Sequence, residues 1–150
     1  MTGKLAADEL RAERKLLRNI LKDFKSAHAD FRPTDGMMTV AQQVHHIAYT
    51  VKWFQEGAFG TGFSMEAENK KARTLEEATK ELDAAYDGYI AFVEPLSEAV
   101  LHEPLPPNPI MQGPRLVVIG AQRDHTAHHR GALTVYLRLL GVTPTMVYAD

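Results

Sequence analysis

Three of the chain's 7 histidines, His125, His128 and His129, lie within the short stretch "DHTAHHRG". On a helix, side chains four residues apart are separated by only about 40°, so His125 and His129 share one face. That face also carries Val118 and Tyr136, which predicts that both rings point toward the core. Two imidazoles at this spacing on a buried face can converge on one metal ion.

A third ligand has to come from another helix, and the stretch "QQVHHIAYTVKW" supplies it. His46 lies on the shoulder of the apolar stripe of that helix, whereas His45 is rotated by a further ~100° and is predicted to face solvent. We therefore predict a metal site of His46, His125 and His129. Three neutral imidazoles leave coordination positions open for water or substrate, which is typical of a working site.

Other polar and aromatic residues are expected to line a cleft on the open side of the ion. Those within about 60° of a ligand on the second and fourth helices are Gln42, Gln43, Thr50, Trp53 and Tyr136. His128 and Asp124 are predicted at the rim, where they could hold a ligand ring or move a proton. The sequence does not identify a catalytic residue beyond these candidates.

Simpler or different interpretations compete with this one. A core histidine that bonds a carbonyl or a hydroxyl is the more common case, and it or solvent exposure is expected for His28 and His102. Peptide hydrolysis of the zincin type needs a Glu directly after the first His, but Thr126 stands there, which argues against it. A non-catalytic module that binds a metal or a small ligand stays open beside a metal-dependent enzyme.

The elements that must position these residues are helices, because apolar residues recur with a period near 3.6 almost throughout. The first helix is predicted over about residues 5–30 and the second begins near Thr39. The third opens at Thr74 with Glu77 at the capping-box position, and Pro95 kinks or ends it. The fourth runs from about Arg115 to Leu140.

The pattern predicts an all-α fold: a four-helix bundle that occupies residues 1–150 as one domain. The stretch "LHEPLPPNPIMQGP" contains five prolines and cannot be helical, so long crossover connections are expected between the later helices.

Composition narrows the function. With 150 residues, a formal charge of -2 and dispersed Lys and Arg, apart from a mild cluster at Lys70, Lys71 and Arg73, nucleic acid is not an expected partner. The chain has 0 Cys, so any metal is held by His, carboxylates or water, and the protein offers no thiol of its own. No apolar run approaches the roughly 20 residues that a bilayer requires, so we expect a soluble, cytoplasmic protein without a membrane partner.

The segments "TVAQQVHHIAYTVKWF" and "DHTAHHRGALTVYLRLLGVTPTMVY" resemble the two signature regions of the DinB-like (DinB/YfiT) family of four-helix metalloproteins. The resemblance spans most of the chain. It implies a divalent metal held by one His of the second helix and the two of the HxxxH pair, here His46, His125 and His129. Family members commonly have Gln where this chain has Ala132, so a role for that amide does not carry over.

The resemblance also implies a class of chemistry. Characterised members of the wider superfamily include thiol transferases and isomerases with a low-molecular-weight thiol as cosubstrate, which makes a metal-dependent thiol transferase the expected function and a non-catalytic, stress-associated binding module the alternative. Zinc and nickel are the favoured ions, with iron, manganese and copper as alternatives. A homodimer is expected from the resemblance and from Trp53, Phe54, Phe59 and Phe63 near one helix end.

Overall fold

The computed structural model describes residues 1–69, 71 and 73–149. Within those ranges the regular elements are helices: α1 (Gly3–Leu21), a 3-10 turn (Ser26–His28), α2 (Val40–Phe59), α3 (Leu75–Val93), α4 (Glu98–His102) and α5 (Leu116–Leu139). The all-α prediction is confirmed. α4 is a single short helix within the connection from α3 to α5, so α1, α2, α3 and α5 form the bundle.

The packing order follows from the apolar stripes. α2 packs against α3 and α5, and α1 packs against the same two helices from the other side. The stripes predicted for the first three helices are buried, from Leu10 and Leu17 on α1 to Tyr86 and Val93 on α3. α2 and α5 therefore face each other along one seam, and this seam is where the predicted ligands meet.

Capping residues and a glycine in the sequence determine where several of the helices begin or end. Thr39 and Thr74 each cap a helix through a capping box, with Gln42 and Glu77 as the reciprocal partners. At Gly141 the backbone φ is 77°, a left-handed conformation that glycine adopts without strain, and α5 stops just before it.

One predicted boundary needs correction. The first helix ends at Leu21 rather than near residue 30, because the chain tightens into 3-10-type bonds at Asp23 and Phe24. The Asp23 carboxylate then accepts hydrogen bonds from the amide and hydroxyl of Thr145, which anchors the C-terminal segment. Of the two outcomes predicted at Pro95, the structure shows the helix end: α3 stops at Val93, and the next helix is capped by Ser97.

The connection after α2 folds back over that helix. We call residues 60–69 the covering segment. Trp53 donates its indole N–H to the carbonyl of Ser64 at 2.8 Å, and the Tyr49 hydroxyl donates to the carbonyl of Glu66 at 3.4 Å. A Cβ at Gly57 would come within 2.2 Å of the Phe63 ring, so glycine is needed there for the ring to pack on α2.

The aromatic residues at this end of the bundle contact one another. Trp53 packs against Phe54 and Phe63 with ring centroids 5.1 and 4.7 Å apart, and Phe59 packs against Phe92. They therefore close this end of the core within the chain, and the homodimer stays a prediction. No helix in the described ranges has the length and apolar character to cross a membrane.

A carboxyl group lies in the core between α1, α3 and α5. Glu13 is only 4% exposed, and neither of its oxygens has a hydrogen-bond partner at normal distance among the described residues. Burial raises the pKa of Glu13 from 4.5 to about 7, and weaker contacts to Gln122, Thr126 and Tyr86 offset this only in part. The core thus contains a polar cluster that the apolar pattern did not predict.

This cluster makes stability depend on pH. Because the pKa of Glu13 is higher in the folded than in the unfolded chain, its contribution is fully present below about pH 4.5 and is lost as pH rises through about 7. Glu13→Gln should raise the free energy of unfolding at pH 8 by roughly 1–3 kcal/mol and flatten its pH profile between 5 and 8. Urea unfolding at several pH values measures the free energy of unfolding and its dependence on pH. The control Glu9→Gln, one turn away, should keep the wild-type dependence on pH. An unchanged slope in Glu13→Gln would contradict the assignment.

Candidate metal centre

Three imidazoles meet on the seam between α2 and α5. One ligand atom from each of His46, His125 and His129 can be chosen so that all three atoms lie within 4.8 Å of one another. The ring centroids are separated by 4.6 Å for His125 and His129, by 4.8 Å for His46 and His129, and by 5.2 Å for His46 and His125. The structure therefore brings together the three residues that the sequence selected.

Each ring is held at Nδ1 by a different oxygen. The Nδ1 of His46 lies 2.6 Å from a carboxylate oxygen of Glu68, and the Nδ1 of His129 lies 3.2 Å from the amide oxygen of Gln43. An ionised carboxylate and an amide oxygen can only accept, so both Nδ1 atoms carry the proton. In the neutral form of each ring, Nε2 is then the atom available to a metal.

Thr50 places the third ring in the same state. Its hydroxyl donates to the backbone carbonyls of His46 and Ile47 at 3.0 Å, so its lone pairs are free to accept. The Nδ1 of His125 lies 3.3 Å from this oxygen and is therefore the donor. With all three Nδ1 atoms protonated, each neutral ring has its Nε2 lone pair free to bind a metal ion.

Burial keeps the α5 rings neutral. Burial first, and then the charges of His46 and His128, lower the pKa of His125 to about 4. Burial first, and then the charges of the neighbouring histidines, lower the pKa of His129 to about 3. Both rings are thus neutral at physiological pH, which is the form that binds metal.

The donor set decides which ions fit. Imidazole nitrogens suit zinc, nickel, iron and copper, whereas calcium and magnesium prefer oxygen ligands. His46 keeps 19% of its side chain exposed, so the cluster is reachable from solvent. The chemistry and access of the three residues therefore fit a divalent transition metal.

Glu68 was not found from the sequence. It lies in the covering segment, where no period or motif marks it, and only 13% of its side chain is exposed. Its other oxygen lies 3.3 Å from Nε2 of His45. The prediction that His45 faces solvent is wrong: the ring is 13% exposed, and its Nδ1 lies 2.6 Å from Glu81. The covering segment and α3 enclose it.

The other candidates lie in several places. Gln42 uses its amide oxygen to accept the Thr39 N–H in the capping box. Trp53 is bonded to Ser64, and the Tyr136 hydroxyl donates to the carbonyl of Met38 at 3.0 Å. His128 is exposed beside the cluster, with its ring 4.9 Å from that of His129.

Two further positions on α5 face away from the cluster. Asp124 is exposed and lines a groove between α1 and α5. The hydroxyl of Thr126 accepts from the Gln122 amide at 3.1 Å inside the core. Neither residue is in place to act as the general base that a zincin mechanism requires.

Glu68 offers a direct test of how the cluster is held. Glu68→Ala should weaken zinc affinity by roughly 10–100-fold, because His46 loses the carboxylate that fixes its tautomer and ring orientation. Competition with a chromogenic chelator measures the affinity. Glu66→Ala removes an exposed carboxylate from the same segment and should leave zinc affinity unchanged; equal affinities for the two variants would rule out this role for Glu68.

Comparisons with known proteins agree with this architecture. The model of the DinB superfamily matches residues 9–133. A DinB-like protein from Bacillus subtilis is similar in structure, with a TM-score of 0.77, 18% sequence identity and coverage of 97% of this chain and 99% of that chain. A DinB-like protein from Bacillus cereus has a TM-score of 0.75, 17% identity and 91% coverage of both chains.

A conserved protein from Enterococcus faecalis has a TM-score of 0.62 and 19% identity, with coverage of 94% of this chain and 99% of that chain. Comparison with curated proteins finds no match. At these identities the structural likeness shows the fold alone, whereas the family match covers the first signature region and the beginning of the second, and it includes all three histidines of the cluster. This chain belongs to the DinB superfamily.

Proposed function

We propose that the chain binds one divalent metal ion through His46, His125 and His129 and uses it in a transferase reaction with a low-molecular-weight thiol as cosubstrate. The observation that carries the metal site is the set of three Nδ1 bonds, to Glu68, Thr50 and Gln43, which leaves three Nε2 atoms for one ion. Membership of the DinB superfamily and the three-histidine cluster are both compatible with this role.

The proposed thiol chemistry is consistent with the absence of cysteine from the sequence and with the chemistry that a bound divalent ion would supply. The sequence has 0 Cys, so a sulfur nucleophile would have to be supplied by a cosubstrate. A bound divalent ion supplies Lewis acidity, which lowers the pKa of a coordinated thiol from its free value of about 8.5. The thiol gives up its proton, its sulfur bonds to carbon of an electrophile, and the electrophile releases a leaving group or takes up that proton.

The chain's own residues would position this reaction. Glu68, Gln43 and Thr50 hold the three rings in one tautomer, so that no ring has to reorient when a substrate arrives. His128 lies exposed beside His129, where its imidazole can take up the thiol proton and release it to water. Phe54, with its ring 5.9 Å from that of His125, limits water on the α2 side.

Metal loading tests the ligand set. His129→Ala should lose most bound metal and still fold, because the apolar stripes of the bundle do not depend on the ion. Elemental analysis of protein purified without a nickel column gives the metal content, and circular dichroism checks the helices. His128→Ala removes the adjacent, exposed imidazole and should keep the metal. Full occupancy in His129→Ala would remove His129 from the ligand set.

Thiol consumption separates the enzyme from a binding module. With zinc or nickel bound, the protein should accelerate the loss of a simple thiol in the presence of a carbon electrophile, and His129→Ala should abolish that acceleration. Free thiol is measured over time with several electrophiles. A loaded protein that binds metal fully and accelerates none of these reactions would favour the non-catalytic metal-binding alternative.

We also propose that the protein is a homodimer. Val135 and Leu139, one turn apart on α5, are 53% and 59% exposed and form an apolar strip on the surface of that helix. A second copy that covers these residues would remove that area from water. Light scattering at micromolar concentration should give twice the chain mass; a monomer mass would contradict the proposal.

A further inference from the structure

A cavity of about 220 Å³ lies at the start of α2, and His45, the neighbour of His46 in the sequence, is among the residues that line it. Its walls come from the connection between α1 and α2, from Gln42 and His45 on α2, and from Glu68, Lys71 and Arg73 in the connection that follows. We call it the basic pocket. Because Glu68 lines the pocket and also bonds His46, the pocket and the metal centre share a wall.

The charge of the basic pocket is one-sided. Arg32, Lys71 and Arg73 line it, against the single carboxylate of Glu68. That carboxylate is directed to imidazoles, with one oxygen 2.6 Å from His46 and the other 3.3 Å from His45. The Glu68 carboxylate therefore contacts the two imidazoles, and the other charged groups that line the cavity are cations.

The three cationic side chains of the pocket differ in how strongly other groups already bind them. Arg73 is fixed, since its Nε donates to Glu81 and its Nη1 donates to the carbonyls of Asn69 and Lys71. Among the residues that the structure describes, Arg32 pairs only with Asp35, at 3.2 Å; the Asp35 side chain is 98% exposed, so this pair is weak and replaceable. The Lys71 ammonium forms no ion pair with a described residue, and Lys70 of the same cluster lies outside the described residues.

The size of the cavity indicates how much of a molecule it holds. Whole small-molecule sites enclose roughly 300–1,000 Å³, so about 220 Å³ suits one end of a substrate. Resting on the function proposed above, we infer that the basic pocket binds the anionic end, a carboxylate or phosphate, of the small molecule whose other end reaches the metal. Arg32 and Lys71 would bind the anion, while Arg73 would hold the loop and add its charge.

Nuclear magnetic resonance of the full-length, zinc-loaded protein tests this inference with succinate and inorganic phosphate as probes. Each anion should give saturable shifts at the backbone amides of Met38, Gln42 and Lys71. The tighter of the two probes identifies the group as a carboxylate or a phosphate. The double variant Arg32→Gln, Lys71→Gln should weaken binding at least about fivefold, while Lys4→Gln, at an exposed position of α1, should stay close to wild type.

The same titration in His129→Ala separates this inference from the proposed function. If that variant has lost its metal and the pocket amides still shift, the anion site stands by itself whatever reaction the metal serves. The inference is overturned if neither anion shifts these amides, if the double variant binds as well as wild type, or if Lys4→Gln loses binding to the same extent. It is also overturned if all shifts vanish in His129→Ala, because the anions would then bind only at the metal.

Discussion

The structure around the candidate metal centre depends on one constraint: to hold one ion, three imidazoles on two helices must each turn an unprotonated nitrogen toward it. A histidine has two ring nitrogens, and a ring free to choose its tautomer would offer the wrong one part of the time. Here the choice is made by Glu68, Thr50 and Gln43, three different kinds of oxygen that each bind an Nδ1. The bundle supplies two of these oxygens from α2 itself, and the third arrives from outside the bundle.

That third oxygen explains the course of the chain between α2 and α3. The covering segment is tied to α2 by Trp53 and Tyr49 through backbone carbonyls, and Gly57 gives Phe63 room to pack. These contacts fix the position of Glu68, which then reaches His46 and His45 together. The segment thereby holds one ring of the three-histidine cluster and forms one wall of the basic pocket, so that the cluster and the pocket share one carboxylate.

Much of the fold and the clustering of the three histidines could be predicted from the sequence, since both depend on periodicity. The apolar stripes placed the helices, and the i, i+4 spacing placed His125 and His129 on one face of α5. The residues that hydrogen-bond the three histidines could be predicted only in part. Gln43 and Thr50 lie on α2 at positions that a helical wheel can estimate, and both were named as candidates.

What the sequence missed depends on long-range packing. Glu68 lies in an irregular segment, where spacing carries no information about which side chain returns to the bundle. His45 was expected in solvent because a helical wheel of α2 does not show what covers it from another part of the chain. A hydrophobic pattern places polar residues on the solvent face of a helix. It therefore fails for three polar residues that are buried in the core: Glu13, Gln122 and Thr126.

X-ray absorption spectroscopy of the zinc-loaded protein tests the three-histidine site directly, because it counts and identifies the atoms bound to the ion. We expect three imidazole nitrogens at about 2.0–2.1 Å together with exchangeable light-atom ligands from solvent. Addition of a simple thiol should then introduce a sulfur scatterer at about 2.3 Å without loss of the three imidazoles. A spectrum with fewer than three imidazoles, or with four protein ligands that exclude the thiol, would contradict it.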